Sequence, residues 1–249
     1  MGQLDRQNEI LELVQLGKCT SVKELCAHIY ASPATIRRDL HALECKGFLR
    51  LAYGNVILLT DNQRELPLAF RESQAKESKR AIAHHAASLI TAHSSVILDA
   101  SSTAINIAEF INPDLEVTVF TNCIKTAVKL CEKGIEVYMI GGRVDGKNYV
   151  TRGSWTMENL SSVHADYLFF SSQALDHHGV ISGQSEDGVQ MRKYMLSHAD
   201  KQYFLCNGDK VGNKSTFTLC HTSDITGVIT DADISFIPHT VAININILG

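Results

Sequence analysis

The chain has 249 residues, of which 45% are hydrophobic and 20% charged. That balance excludes wholesale disorder, and the length suits two domains or one large one. The formal net charge of −4 excludes a broadly basic surface. The charge is uneven, however: residues 1–60 hold seven basic and six acidic side chains, the remainder sixteen and twenty-one, which leaves room for a local nucleic-acid patch.

Residues 3–16 place Leu4, Ile10, Leu11, Leu13, Val14 and Leu16 at mostly helical spacing, and Gly17 ends that helix. Ser21 with Glu24 three residues on is a capping-box pattern, which opens a second helix over roughly 21–28. Ser32-Pro33 predicts the N-cap and first residue of a third helix, roughly 33–46, with Ile36, Leu40 and Leu43 on one face and Gly47 at its end. Residues 48–51 and 55–59 flank Tyr53-Gly54 as a hairpin.

Three short helices and a hairpin make a winged helix-turn-helix, whose third helix enters the major groove by its N-terminal part. Ser32, Thr35, Arg37, Arg38 and His41 on that helix, with Arg50 and Tyr53 on the wing, are the candidate DNA contacts. A guanidinium pairs bidentately with guanine or phosphate. The same pattern fits a small helical bundle with solvated arginines.

Residues 21–50 resemble the DNA-binding domain of DeoR-type bacterial transcriptional regulators. The resemblance rests on Thr35-Ile36-Arg37-Arg38-Asp39-Leu40, followed by Leu43 and Gly47. Where that family's wing usually reads Arg-x-His-Gly-Gly-Ala, this chain has Leu51-Ala52-Tyr53-Gly54-Asn55-Val56.

Domain 1–60 is followed by a polar connection over 61–74 containing Pro67, and then by a second domain over 75–249. Helical pattern returns over 75–91. From residue 95 short apolar runs at 96–98, 117–120, 137–140, 167–170, 203–206 and 228–229 alternate with helices expected at 104–111, 123–133, 154–162 and 187–199. Such alternation predicts an α/β fold with a mainly parallel sheet covered on both faces. The run 241–247 is expected to rejoin that sheet.

Ligands of open α/β sheets sit outside the carboxyl ends of the strands. The residues there include Asp99, Ser101, Ser102, Thr103, Thr121, Asn122, Gly141, Gly142 and Lys210. Ser101-Ser102-Thr103 opens an expected helix, where N–H groups and the helix dipole favour an anion. A small polyol or phosphate ligand is expected; ordinary capping of strand-to-helix turns is the alternative. His84-His85 and His177-His178 are expected to be surface or loop pairs rather than metal ligands, and Trp155 a packing residue.

The second domain resembles the DeoR-type effector domain, related to ribose-5-phosphate isomerase, in Leu98-Asp99, Ser102-Thr103, Thr121-Asn122, Gly141-Gly142, Lys210 and Ile229-Thr230-Asp231. Ser101 replaces a glycine of that family's pattern, and Ala174 another glycine before Asp176, a further candidate effector contact. The resemblance implies a repressor of a carbohydrate operon whose DNA affinity follows a phosphorylated sugar or sugar alcohol. Alternatives are a sugar-phosphate isomerase-like enzyme, using a carboxylate base such as Asp99, Asp176, Glu186 or Asp187, and a ligand-binding module with weakened DNA binding.

No nucleotide motif is found, and no catalytic residue, cofactor or metal is expected. The seven cysteines are dispersed without a Cys-x-x-Cys pair, as in reduced cytoplasmic proteins. No signal-peptide pattern and no apolar run of about 18–20 residues is visible. The expectation is therefore a cytoplasmic homo-oligomer, dimer or tetramer, partnered by operator DNA and a small effector and not by membrane.

Overall fold

The computed structural model describes residues 2–15, 17–45, 48–52, 54–58, 68–146 and 148–245. They divide into two compact units, 1–73 and 74–249.

In the first unit α1 (Gln3–Gln15), α2 (Val22–Ile29) and α3 (Pro33–Cys45) precede β1 (Leu49–Ala52), β2 (Asn55–Leu58) and α4 (Leu68–Ser73). Caps set the helix starts. Ser21 Oγ accepts from Glu24 N at 3.3 Å, and Glu24 Oε2 accepts from Ser21 N at 3.0 Å, closing the expected box. Ser32 Oγ accepts from Thr35 N at 3.2 Å, just ahead of Pro33, whose missing N–H is no loss at a first helical position. Ile10, Leu25, Ile36, Leu40 and Leu43 bury together. Glu44 Oε1 accepts from Leu51 N at 2.8 Å and ties the hairpin to α3. Leu16, Gly47 and Tyr53 lie outside the described residues. Residues 68–73, read from sequence within the connection, are helical because Phe70 joins this core.

The second unit runs α5 (Lys76–Ser88), β3 (Ser95–Leu98), α6 (Ile107–Phe110), β4 (Thr118–Thr121), α7 (Ile124–Glu132), β5 (Glu136–Met139), β6 (Arg143–Asp145), β7 (Val150–Arg152), α8 (Ser154–Ser161) and β8 (Ala165–Phe170). It continues through β9 (Ala174–Leu175), β10 (Val180–Gly183), α9 (Glu186–Leu196), β11 (Ala199–Cys206), β12 (Phe217–His221), β13 (Gly227–Thr230) and β14 (Ala242–Asn244). Seven strands form one parallel sheet in the order β14-β13-β11-β8-β3-β4-β5. The C-terminal run pairs with β13 as expected.

Both faces of the sheet are covered, which explains the unbroken apolar runs. Val96, Leu98 and Phe169 pack with Ile82 of α5, Ile107 of α6 and Leu130 of α7. Ile97, Leu168 and Phe170 pack on the other side with Leu160 of α8 and Met195 of α9. Strands are added outward from β3 in one direction through β4 and β5, and in the other through β8, β11, β13 and β14. The loops after β3 and β8 therefore meet at the switch point, where such sheets hold ligands.

The helix expected over 104–111 is present over 104–110, with a 3₁₀ first turn. That 3₁₀ turn, Ala104–Asn106, leads into the single turn of α6. Ser101 Oγ accepts from Ala104 N at 3.1 Å, and Asn106 Nδ2 donates to Ser102 O at 2.8 Å. Lys133 Nζ then closes the end, donating to the carbonyls of Ala108, Glu109 and Ile111.

Candidate functional site

The first unit presents α3 as its candidate nucleic-acid element. The buried side of α3 fixes which residues face out: Ser32, Arg37, Arg38 and His41 are exposed and Thr35 is half-buried. Ser32 and Thr35 are joined by a 2.9 Å hydroxyl contact, and His41 Nδ1 lies 3.1 Å from Cys45 Sγ. Arg50 is exposed on β1; the candidate Tyr53 is outside the described residues.

Asp39, flanked by these arginines in sequence, does something different. It is fully buried, and its carboxylate accepts from Arg6 Nε at 2.5 Å and Gln7 Nε2 at 3.4 Å. Burial works to raise this carboxyl. The hydrogen bonds from Arg6 and Gln7 and the guanidinium charge outweigh it and hold the group below the usual carboxylate range. Asp39 thus latches α3 to α1 and sets the face that α3 presents.

In the second unit the candidate residues gather at the carboxyl ends of β3, β4, β8 and β11. Asp99 is 1% exposed. Its Oδ1 accepts from Ser101 N at 3.1 Å, and its Oδ2 from Arg192 Nε at 2.8 Å and Ser171 N at 3.3 Å. Lys210 Nζ donates to Ser171 Oγ at 2.5 Å. The lysine thus reaches back to the end of β8, the strand beside β3. Lys210, Ser171, Asp99 and Arg192 form one continuous polar network at the switch point. Beside it, burial pushes the Cys206 thiol up to about 12, with the Lys210 charge opposing weakly.

Around this network three buried polar atoms have no hydrogen-bond partner among the described residues: Thr103 Oγ1, Asn122 Oδ1 and Asn207 Oδ1. They follow β3, β4 and β11. Buried polar atoms are normally satisfied, so these three are candidates for bonding to an outside group; the hydroxyls of Ser78, Thr126 and Thr156, on α5, α7 and α8, also lack a partner among the described residues. Thr121 Oγ1 donates inward to Leu98 O at 2.8 Å, and Asn122 Nδ2 donates to Thr151 O at 3.2 Å. Ser101 Oγ is engaged with Ala104 N. Gly142 has φ +147, and a Cβ there would lie 2.0 Å from Thr156 Oγ1, so its glycine serves the packing of α8. Gly141 stands beside it in a half-buried position.

Two further candidate groups lie in different surroundings. The helical stretch that the sequence pattern places behind Ser101-Ser102-Thr103 is short and opens as a 3₁₀ turn, so its dipole is small; Lys210 and Arg192 supply positive side chains nearby. Asp176, a candidate effector contact, lies between β9 and β10. Its Oδ1 accepts from His178 N at 2.8 Å and Val180 N at 2.9 Å, and Lys214 Nζ is 3.5 Å from Oδ2. Burial works to raise its carboxyl, but those N–H groups and Lys214 prevail and lower it.

Sequence reasoning missed Arg192 and gave Ser171 no role. One signal for Arg192 existed. Gly188 sits in the first turn of α9, where glycine costs about 1 kcal/mol relative to alanine, and a Cβ on it would lie 3.1 Å from Arg192 Nη1. Among the described residues no group of three or more His, Cys, Asp or Glu is placed to hold a metal, and no helix is long and apolar enough to cross a membrane.

Comparison with known proteins finds a family match for each of the two units. Residues 6–62 match the family described as DeoR-like helix-turn-helix domain, and residues 74–232 match DeoR C terminal sensor domain. The chain is 33% identical over 232 residues to the HTH-type transcriptional repressor GlcR of Bacillus subtilis, covering 93% of this chain and 89% of that protein. It is 28% identical over 235 residues to the lactose phosphotransferase system repressor of Staphylococcus epidermidis, covering 93% of each. Ribose 5 phosphate isomerase A from Neisseria gonorrhoeae aligns over 53% of this chain and 52% of its own, at 13% identity and a TM-score of 0.40, a likeness too distant to bear on activity.

Proposed function

Because the chain belongs to the DeoR family of transcriptional regulators, we propose that its first unit binds duplex operator DNA and that a phosphorylated sugar or sugar alcohol, held at the switch point of the second, controls that binding. It is a regulator and not an enzyme: its relatives are named as regulators and repressors. A carboxylate held by Arg192, as Asp99 is, is moreover poorly suited to act as a general base. The relatives' names favour repression of a sugar-related operon, and the free, dispersed cysteines suit the cytoplasm.

The DNA half is carried by the exposure of Arg37 and Arg38 on a capped helix whose opposite face is buried. Ser32, Thr35 and His41 would line the groove beside them, with Arg50 on the wing. In titrations of duplex DNA over a salt series, replacing an arginine that contacts phosphate is expected to lower the salt slope by about one, equally for all sequences. Replacing one that contacts a base instead relaxes preference at one position by about 1–3 kcal/mol. Binding unchanged in both Arg37→Ala and Arg38→Ala removes α3 from the interface.

We place the chain in solution as at least a dimer, since one winged helix offers a small interface and a pair gains effective concentration. Val128, Tyr138, Met139, Val144, Tyr149 and Trp155 are exposed within residues 128–155, which supports self-association through the second unit. Trp155, expected from sequence to be packed, is 73% exposed. Sedimentation of the samples used for DNA titration reports the assembly.

The effector half is carried by the three unpartnered polar atoms of Thr103, Asn122 and Asn207 around Lys210. Lys210, with Ser102 and Thr103, suits the phosphate side, and Asn122 the sugar hydroxyls. Asp99, Ser101, Thr121, Gly141 and Gly142 shape the floor, and Asp176 holds a neighbouring turn. Calorimetry with matched sugars and sugar phosphates is expected to favour the phosphorylated member. Lys210→Met is expected to cost that member alone about tenfold or more, the worth of a charge-assisted hydrogen bond. Equal affinity with and without phosphate overturns the assignment, and binding that leaves DNA affinity unchanged removes the coupling.

A further inference from the structure

Tyr30 stands in the turn between α2 and α3. It caps α2 with φ 53° and ψ 40°, a left-handed conformation open to glycine without cost and crowded for any residue with a Cβ. Two other helices in the chain are followed by glycine in this conformation, Gly17 at φ 66° after α1 and Gly134 at φ 74° after α7. At the helix-turn-helix corner the chain instead places a bulky aromatic.

That side chain contributes no packing. Tyr30 is 94% exposed, more than any other large apolar or aromatic residue among those described. A strained, unpacked aromatic is a burden on the free protein, so its use is sought in a bound state. Its position supplies one. Ser32, the N-cap of α3, is two residues on. When the N-terminal part of such a helix enters the major groove, the turn that leads into it, Tyr30 and Ala31, comes near the groove's rim and its phosphates.

We propose that Tyr30 is a DNA-contacting residue whose phenol hydroxyl donates to a phosphate oxygen at the rim of the groove entered by α3. The inference rests on the DNA-binding function proposed above. Tyrosine is one of the neutral donors that proteins use on phosphate oxygens. Such a bond gives affinity on any sequence but displaces no counterion. It therefore leaves a signature opposite to that of an arginine on phosphate.

The test uses the full chain and a labelled mixed-sequence duplex of about 30 base pairs, titrated at several salt concentrations, because a phosphate contact needs no operator. Tyr30→Phe is expected to bind about tenfold more weakly at every salt concentration, with the salt slope unchanged, as for the loss of one hydrogen bond from a neutral donor to an anionic oxygen. Tyr30→Gly is expected to bind at least as weakly, while amide hydrogen exchange over residues 22–45 slows by about fivefold because the strained cap is relieved. Affinity falls as stability rises, which a packing role does not produce.

Binding by both variants as tight as the parent chain, in an assay where Arg37→Ala or Arg38→Ala is weakened, overturns the assignment of Tyr30 and leaves α3 as the DNA element. Faster exchange in Tyr30→Gly overturns it too, by making the ring part of the fold. Absence of duplex binding by the parent chain itself overturns the DNA-binding function and the Tyr30 contact with it.

Discussion

Replacing Asp99 by alanine is expected to destabilise the second unit by about 4 kcal/mol. The Asp99 and Arg192 side chains are 2% and 9% exposed and 2.8 Å apart, so removing the carboxylate takes an ionic partner from a buried guanidinium. The N–H groups of Ser101 and Ser171 lose their acceptor as well. Arg192→Met is expected to cost a similar amount from the other side of the pair. Combining Arg192→Met with Asp99→Leu is expected to recover much of the loss, because no unpaired charge then remains buried. Urea unfolding read by hydrogen exchange in β3 and β8 measures each change. A single-mutant loss under about 1 kcal/mol would mean that the partner reaches solvent, and the pair would not be what orders the loop after β3.

Asp39→Ala is expected to cost the first unit about 3 kcal/mol, less than Asp99 because Arg6 is 12% exposed and nearer to water. This loss carries a pH signature. The Asp39 carboxyl is lowered in the folded chain, so the unfolded chain binds the proton more readily. The stabilisation is present in full above the unfolded carboxylate range, about pH 4, and is lost as pH falls through the folded value below it. The parent chain and Asp39→Asn should therefore differ most near neutral pH and converge in acid. Hydrogen exchange in α1 and α3 between about pH 3 and 7, compared at matched intrinsic rates, checks this; a constant difference across the series would refute the linkage.

The periodic parts of this fold were legible because they are local. Runs such as Val96-Ile97-Leu98 and Tyr167-Leu168-Phe169-Phe170 are apolar throughout because both sheet faces are covered. Ser21 with Glu24, and Ser32 with Pro33, state helix starts within four residues. The paired charges were not legible. Asp99 meets Arg192 across 93 residues and Arg6 meets Asp39 across 33, and no spacing rule joins them.

The helix expected over 104–111 is present over 104–110, but its first turn is 3₁₀. Its hydrophobic pattern is helical, and the bonds that close its two ends, from Ser101 and the distant Lys133, were not legible. At the site, the hydroxyl and amide residues after the strands were visible from the α/β pattern alone. The lysine's reach to Ser171, and the conflict between Tyr30 and its own backbone, required coordinates.

The order of strands has a consequence for how this chain is made. β3 lies between β4 and β8, but its two neighbours emerge from the ribosome at very different times. β4 follows within some twenty residues, whereas β8 begins only at Ala165. At roughly 5–20 residues per second, the other edge of β3 stays open for several seconds of synthesis. During that interval Val96, Ile97 and Leu98, all fully buried in the finished unit, flank a row of unpaired backbone groups, the template on which strands from other chains add. The newborn chain is thus most exposed to misassembly before residue 170, and slower translation across residues 99–165 lengthens that exposure.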